Sequence, residues 1–182
     1  MHPAVDDLAK ASKRAESSLR LARQLLDGGY PSPSLVWSVR AVEIFLKEFV
    51  LPSAFIGQKT NIRWERAVRK ASKKFGTLKW DNAFKFMQDE FGPLDSLTTH
   101  DARDVLVVWN AEIVPRRHNI VHGKEEASAD EAAHVMNWAE EIIKKLKLRL
   151  IVSGKHTFSD VFGQMYRDLF EQYHGHPPPE DD

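Results

Sequence analysis

The sequence predicts an all-α fold, a helical bundle with additional short helices and a C-terminal helix. Three observations carry that prediction. Apolar residues recur at alternating three- and four-residue spacing along most of the 182 residues, the signature of one face of an α-helix. Glycines, prolines and Ser/Asp caps fall where helical stretches should stop and start. Strand signals are weak throughout, and the short β-branched runs sit inside helical patterns.

In chain order, the first helix is expected over residues 4–27. It carries Val5, Leu8, Ala15, Leu19, Ala22 and Leu26 on one stripe and is stopped by Gly28-Gly29. Ser32 is the expected N-cap of the next helix, with Pro33 at its first position. That helix places Leu35, Val39, Val42, Leu46 and Phe49 on one face and Trp37, Ala41, Ile44 and Phe45 on others. Being apolar on more than one side, it is expected at the centre of the bundle. Pro52 ends it. Shorter helices follow over residues 61–75 and 81–91. A strongly apolar helix then runs from Thr99 to about Val114 and meets Pro115, which lacks an amide hydrogen and crowds the preceding turn. A kink or restart there would place Arg116, Arg117 and His118 in a first helical turn. Ser128-Ala129-Asp130-Glu131 reads as a capping box. The helix it opens repeats Ala132, Val135, Ala139, Ile142 and Leu146, and Ser153-Gly154 closes it. A last amphipathic helix is expected from Phe158 to Tyr173. Residues 1–174 thus form one helical domain, and residues 175–182 a disordered acidic tail.

Composition narrows the function classes. Lys+Arg and Asp+Glu number 26 each, so no global field attracts nucleic acid and any RNA contact must use a local patch. Cysteine is absent, which excludes disulfides, thiol nucleophiles and Cys-ligated metal centres. The start, Met1-His2-Pro3-Ala4-Val5-Asp6-Asp7, has neither a basic nor an apolar leader region, and no stretch has the length of a membrane span. A cytoplasmic protein without membrane partners is expected.

The chemistry concentrates in Arg116-Arg117-His118-Asn119-Ile120-Val121-His122-Gly123. Arginine is a permanent forked cation suited to phosphate, and histidine moves protons near neutral pH. Basic residues in a first helical turn oppose the helix dipole unless an anion or a carboxylate answers them. Two readings follow: a phosphate-handling site, or a salt bridge to an acid such as Glu43 or Glu112. On a continuous helix Arg117 and His122 lie about 140° apart. Either the break at Pro115 swings Arg117 toward His122, or a second copy of the chain completes the site.

The Arg117-x(4)-His122 pattern with a polar residue after the arginine resembles the R-x(4–6)-H motif of HEPN-superfamily ribonucleases. Residues 37–47, Trp-Ser-Val-Arg-Ala-Val-Glu-Ile-Phe-Leu-Lys, are similar to that family's early helix. The resemblance implies a HEPN-like bundle, a homodimer, and metal-independent endoribonuclease activity by 2′-hydroxyl transesterification. In that reading His122 moves the 2′-hydroxyl proton and Arg117 stabilises charge on the phosphate, with no cofactor and no metal. It also implies a toxin or phage-defence effector with RNA as substrate and an antitoxin or sensor protein as partner. The alternative it leaves is a catalytically silent module binding RNA, nucleotide or a protein. His118 occupies the family's polar position and is assigned to hydrogen-bonding the phosphate or orienting His122. Asn119 is assigned to phosphate or to orienting His122, Arg116 to a solvated or phosphate-steering charge, and Glu43 to partnering Arg117. In toxins of this family that are regulated by nucleotide transfer, a tyrosine follows two residues after the motif histidine; here that position is Lys124.

Three further features are secondary. Arg63, Arg66, Lys70 and Lys73 form a basic helical stripe that could follow an RNA backbone or simply face solvent. His174-x-His176 has chelating spacing but stands in a Gly/Pro tail without supporting ligands, so no metal is assigned to it. The five tryptophans are read as core, Trp37 and Trp109 foremost.

Overall fold

A computed structural model describes residues 3–50, 83–85, 87, 103–152, 167, 171 and 175–177. It is mostly helical, with 85% of those residues in helices and no strand among them. In chain order these are α1 (Pro3–Asp27), α2 (Pro31–Ile44), α3 (Val105–Val108), α4 (Val114–Val121) and α5 (Ala129–Val152). Alpha-helix α2 continues into a π-helical turn, Phe45–Val50, and a second π turn, Trp109–Ile113, joins α3 to α4. The basic stripe Arg63, Arg66, Lys70 and Lys73 lies outside the described residues, as do Pro52, Ser153-Gly154 and most of the C-terminal helix and tail. No helix among the described residues is long and apolar enough to cross a membrane.

Two glycines end helices in the same way, each in the left-handed region that a Cβ disfavours. After α1, Gly29 (φ 81°) lets Tyr30 N–H reach Leu25 O at 2.8 Å and Gly29 N–H reach Leu26 O at 3.0 Å. After α4, Gly123 (φ 67°) lets Lys124 N–H reach Asn119 O at 2.9 Å and Gly123 N–H reach Ile120 O at 3.0 Å. Both are Schellman motifs, which satisfy carbonyls left open at a helix end.

The start of α2 differs from expectation. Pro31 takes the first turn, and Tyr30 stands at the N-cap without a side-chain bond. Proline's fixed φ suits that first position, so the helix begins before Ser32. The Ser32 hydroxyl instead accepts a bond at 2.8 Å from the amide of Ala127, 95 residues on.

The core forms around α2, which packs on α1, α4 and α5. Leu35, Val39, Val42, Leu46 and Phe49 are buried, as expected, and so are Ala41, Ile44 and Phe45. Phe45 and Phe49 stack with ring centres 4.9 Å apart. From α5, Ala132, Val135, Ala139, Ile142 and Leu146 complete the interior. Trp109 is fully buried, but Trp37 is 38% exposed, because it lies on the flank of α2 away from the core residues. Lys147 of α5 reaches across to Glu16 of α1 at 2.7 Å while its ammonium sits 5.7 Å from the Phe45 ring centre. That placement covers apolar surface with the lysine stem and answers its charge at the rim.

The helix bearing the motif runs through Pro115 without a break. Asp104 caps it, its side chain accepting from the amides of Leu106 (2.7 Å) and Val107 (3.2 Å). The expected start at Thr99 lies outside the described residues; within them Arg103 and Asp104 are not helical and the helix begins at Val105. Ile113 and Val114 keep right-handed helical backbone angles, and Val114 N–H bonds back to Trp109 O in the wider π pattern. The wider turn leaves room for the proline ring and its missing donor.

Candidate functional site

Because α4 continues a helix, Arg116, Arg117 and His118 do not occupy an exposed N-terminal turn. The dipole argument for an anion at that place therefore does not hold, and the charges are answered in another way. Arg116 donates through Nε to Glu131 at 2.8 Å and through Nη2 to the Glu126 carbonyl at 2.7 Å, and it pairs with Glu125 through Nη1. These bonds raise the Arg116 pKa above its already high value, the Glu131 bond foremost. The Glu125 carboxyl is drawn below its ordinary range, chiefly by its bond to Arg116. Arg116 is thus a clamp between α4 and α5, where the sequence predicts a solvated or phosphate-steering charge.

The same corner holds Asn119 and Glu131. Asn119 Nδ2 donates to Glu125 Oε1 at 3.1 Å, so this amide braces the loop; the expected roles were a bond to phosphate or orienting His122. At the start of α5, Glu131 N–H donates to the Ser128 hydroxyl at 3.1 Å, one half of the expected capping box. The Glu131 carboxylate, which would complete the box, is turned to Arg116. With Ala127 tied to Ser32 as well, the loop between the motif and α5 is fixed at both ends.

Glu43 does not partner Arg117. Its carboxylate accepts from Arg40 at 3.0 Å and from Lys47 at 2.6 Å, both one turn away on its own helical face. Burial alone would raise its pKa, but the Lys47 and Arg40 bonds outweigh burial and hold it below the ordinary 4.5. A depressed carboxylate contributes stability that is present above the unfolded-state value and is lost as pH falls through the folded one. The denaturation midpoint of the wild type should therefore fall more steeply than that of Glu43→Gln as pH drops below about 4.3. Equal slopes in urea titrations across that window would show that the ion triad contributes nothing. Glu112, the other acid considered for the motif arginines, pairs with Arg103.

Three basic side chains of the motif remain outside this clamp. Arg117 is partly buried, and its Nε is shut off from solvent with no hydrogen-bond partner. His118 and His122 are exposed. One helical turn apart, their rings meet edge to face with centres 4.3 Å apart and planes at 60°. His122 is the C-cap residue, its amide bonding to His118 O at 3.2 Å. Helical geometry through Val121 keeps Arg117 about 140° around the axis from His122. The structure thus brings His118 to His122, and leaves Arg117 on a different face of the same turn.

Sequence reasoning missed Glu125 and Glu131 as supports of the motif. The available signal was an acid-rich loop, Lys124-Glu125-Glu126, placed directly after a glycine helix stop and before a capping box. A chain that doubles back there returns its acids to the last turns of the preceding helix. Set against known proteins, the chain matches no family model, no curated protein and no solved structure.

Proposed function

We propose that this chain is a HEPN-like endoribonuclease that cleaves RNA by metal-independent attack of a ribose 2′-hydroxyl on the adjacent phosphate. One observation carries the reading: of two neighbouring arginines, Arg116 is saturated by acids, while Arg117 has no protein partner among the described residues and stands one residue from an exposed histidine pair. A partly desolvated guanidinium with no carboxylate partner among the described residues is suited to a phosphate oxygen. A solvent-facing imidazole at the end of a braced helix is suited to moving a proton. His122 takes the 2′-hydroxyl proton, Arg117 stabilises the charge that grows on the phosphate, and the products are a 2′,3′-cyclic phosphate and a 5′-hydroxyl.

The angular separation of Arg117 and His122 on an unbroken helix favours a site completed by a second copy of the chain. A two-fold axis near residues 116–123 would set each motif against its own copy. Exposed apolar side chains near the motif fit such an interface, with Val121 beside His122 at 51% exposure and Val107 along the same helical run at 64%. A toxin or phage-defence role held in check by an antitoxin or sensor protein is the biological setting we attach to this chemistry.

Incubation of the purified protein with RNA in excess EDTA tests the reaction. Cleavage is expected to persist, to leave cyclic-phosphate ends, and to vanish on an all-2′-O-methyl RNA. Dependence on added metal, or cleavage of the methylated strand, would overturn the mechanism. Tight RNA binding without cleavage would favour a silent binding module built on the same groove.

A further inference from the structure

We propose that His118 and His122 together form a two-histidine chelate for a late first-row divalent ion of the Ni²⁺ type, bound on the last turn of α4. Imidazole is the most common metal-binding side chain for such ions, and two histidines at i and i+4 share one helical face. Both rings are solvent-exposed, and neither has a hydrogen-bond partner among the described residues. Among the described residues, therefore, nothing competes for the ring nitrogens.

The ring spacing is suited to chelation. An ion about 2.1 Å from a ring nitrogen lies roughly 3.2 Å from that ring's centre. Ring centres 4.3 Å apart then correspond to a bite of roughly 85° at the ion, close to the right angle of tetragonal coordination. Small rotations of the two side chains would aim one nitrogen of each ring at the shared point. The backbone already holds their starting positions, because the Schellman bonds at Gly123 and Lys124 fix the helix end.

Charge around the pair permits a cation. The C-terminal end of a helix carries a partial negative charge that favours positive ions. The charge of Arg116 is balanced by Glu125 and Glu131, which leaves Arg117 and Lys124 as the nearby opposing cations. No group of three or more metal-binding side chains converges among the described residues. The chain supplies two ligands, and water fills the remaining positions, so affinity in the micromolar range is expected and not that of a structural centre. The pair is distinct in sequence from the His174-x-His176 spacing.

Such an ion would occupy a nitrogen lone pair on His122 and so block proton transfer. This consequence rests on the ribonuclease reading; the binding itself does not. Calorimetric titration of the full-length protein with Ni²⁺ tests the site independently of activity, in a His174→Ala/His176→Ala background that removes the tail. One ion per chain is expected, with affinity reduced at least tenfold by His118→Ala and equally by His122→Ala. Both positions are exposed, and circular dichroism checks that each variant stays folded. Absence of saturable binding up to millimolar Ni²⁺, or the same affinity in both variants as in their parent, would overturn the proposal. If binding is found but Ni²⁺ leaves RNA cleavage unchanged, the chelate stands and the assignment of His122 to proton transfer falls.

Discussion

Replacing His122 with alanine is expected to slow RNA cleavage by about 10²-fold or more, the usual scale for losing a general acid–base group. The fold should be unaffected, since the side chain is exposed and the helix end is held by backbone bonds at Gly123 and Lys124. Arg117→Lys should also fail to restore full activity. A lysine keeps the charge but loses the planar fork, and its point charge on a flexible stem cannot reproduce two directed N–H bonds to a phosphate. A wild-type rate in either purified, folded variant would remove that residue from the site. Arg116→Lys is predicted to behave differently, because Arg116 acts on the corner between α4 and α5. Its effect should appear first in stability, as a lower unfolding midpoint, with activity following the loss of the brace.

The largest effect on stability is expected at Trp109. Its side chain is fully buried within the π turn that carries the chain from α3 to α4, in the same core as Val105, Val108 and Ile113. Truncation to alanine should destabilise the protein by about 3–5 kcal/mol, the range for deleting a large buried aromatic. Since domains of this size are stable by only about 5–15 kcal/mol, Trp109→Ala should be largely or partly unfolded at 37 °C. It should lose cleavage through loss of the fold, in contrast to His122→Ala. A denaturation midpoint close to that of the wild type would mean that the turn around Trp109 is not part of the cooperative core.

The all-α class and the central place of α2 were legible from periodicity, because burial of Leu35, Val39, Val42, Leu46 and Phe49 follows directly from their spacing. The stop at Gly28-Gly29 was legible for a local reason, since a left-handed residue is written into the sequence by its missing side chain; Gly123 ends α4 for the same reason. Pro115 misled for an equally physical reason. A proline inside a helix usually breaks it, but here a π turn precedes it and helical backbone angles continue through Ile113 and Val114, so the motif does not open a fresh helix. Ser32 was misassigned because its hydroxyl has a partner 95 residues away, which no local window contains. The pairing of the motif charges was the least legible part. Glu43 is satisfied by its own helix and Glu112 by Arg103, whereas Arg116 reaches acids beyond a chain reversal. Trp37 shows the complementary error, an aromatic on a core helix that nonetheless reaches solvent.

The proposed composite site makes a demand that no single-chain site makes. If Arg117 of one copy works with His122 of the other, Arg117→Ala and His122→Ala chains are each inactive alone yet complement when combined. Random exchange of subunits would make half of the dimers mixed, and each mixed dimer would hold one intact Arg–His pair, so activity should recover to about a quarter of wild type. The measurement is RNA cleavage by the two purified variants after co-refolding, compared with each variant alone at the same total concentration. Recovery to that level would support a two-fold active site built from the motif. No recovery, in a mixture shown by mass to contain the mixed dimer, would contradict it.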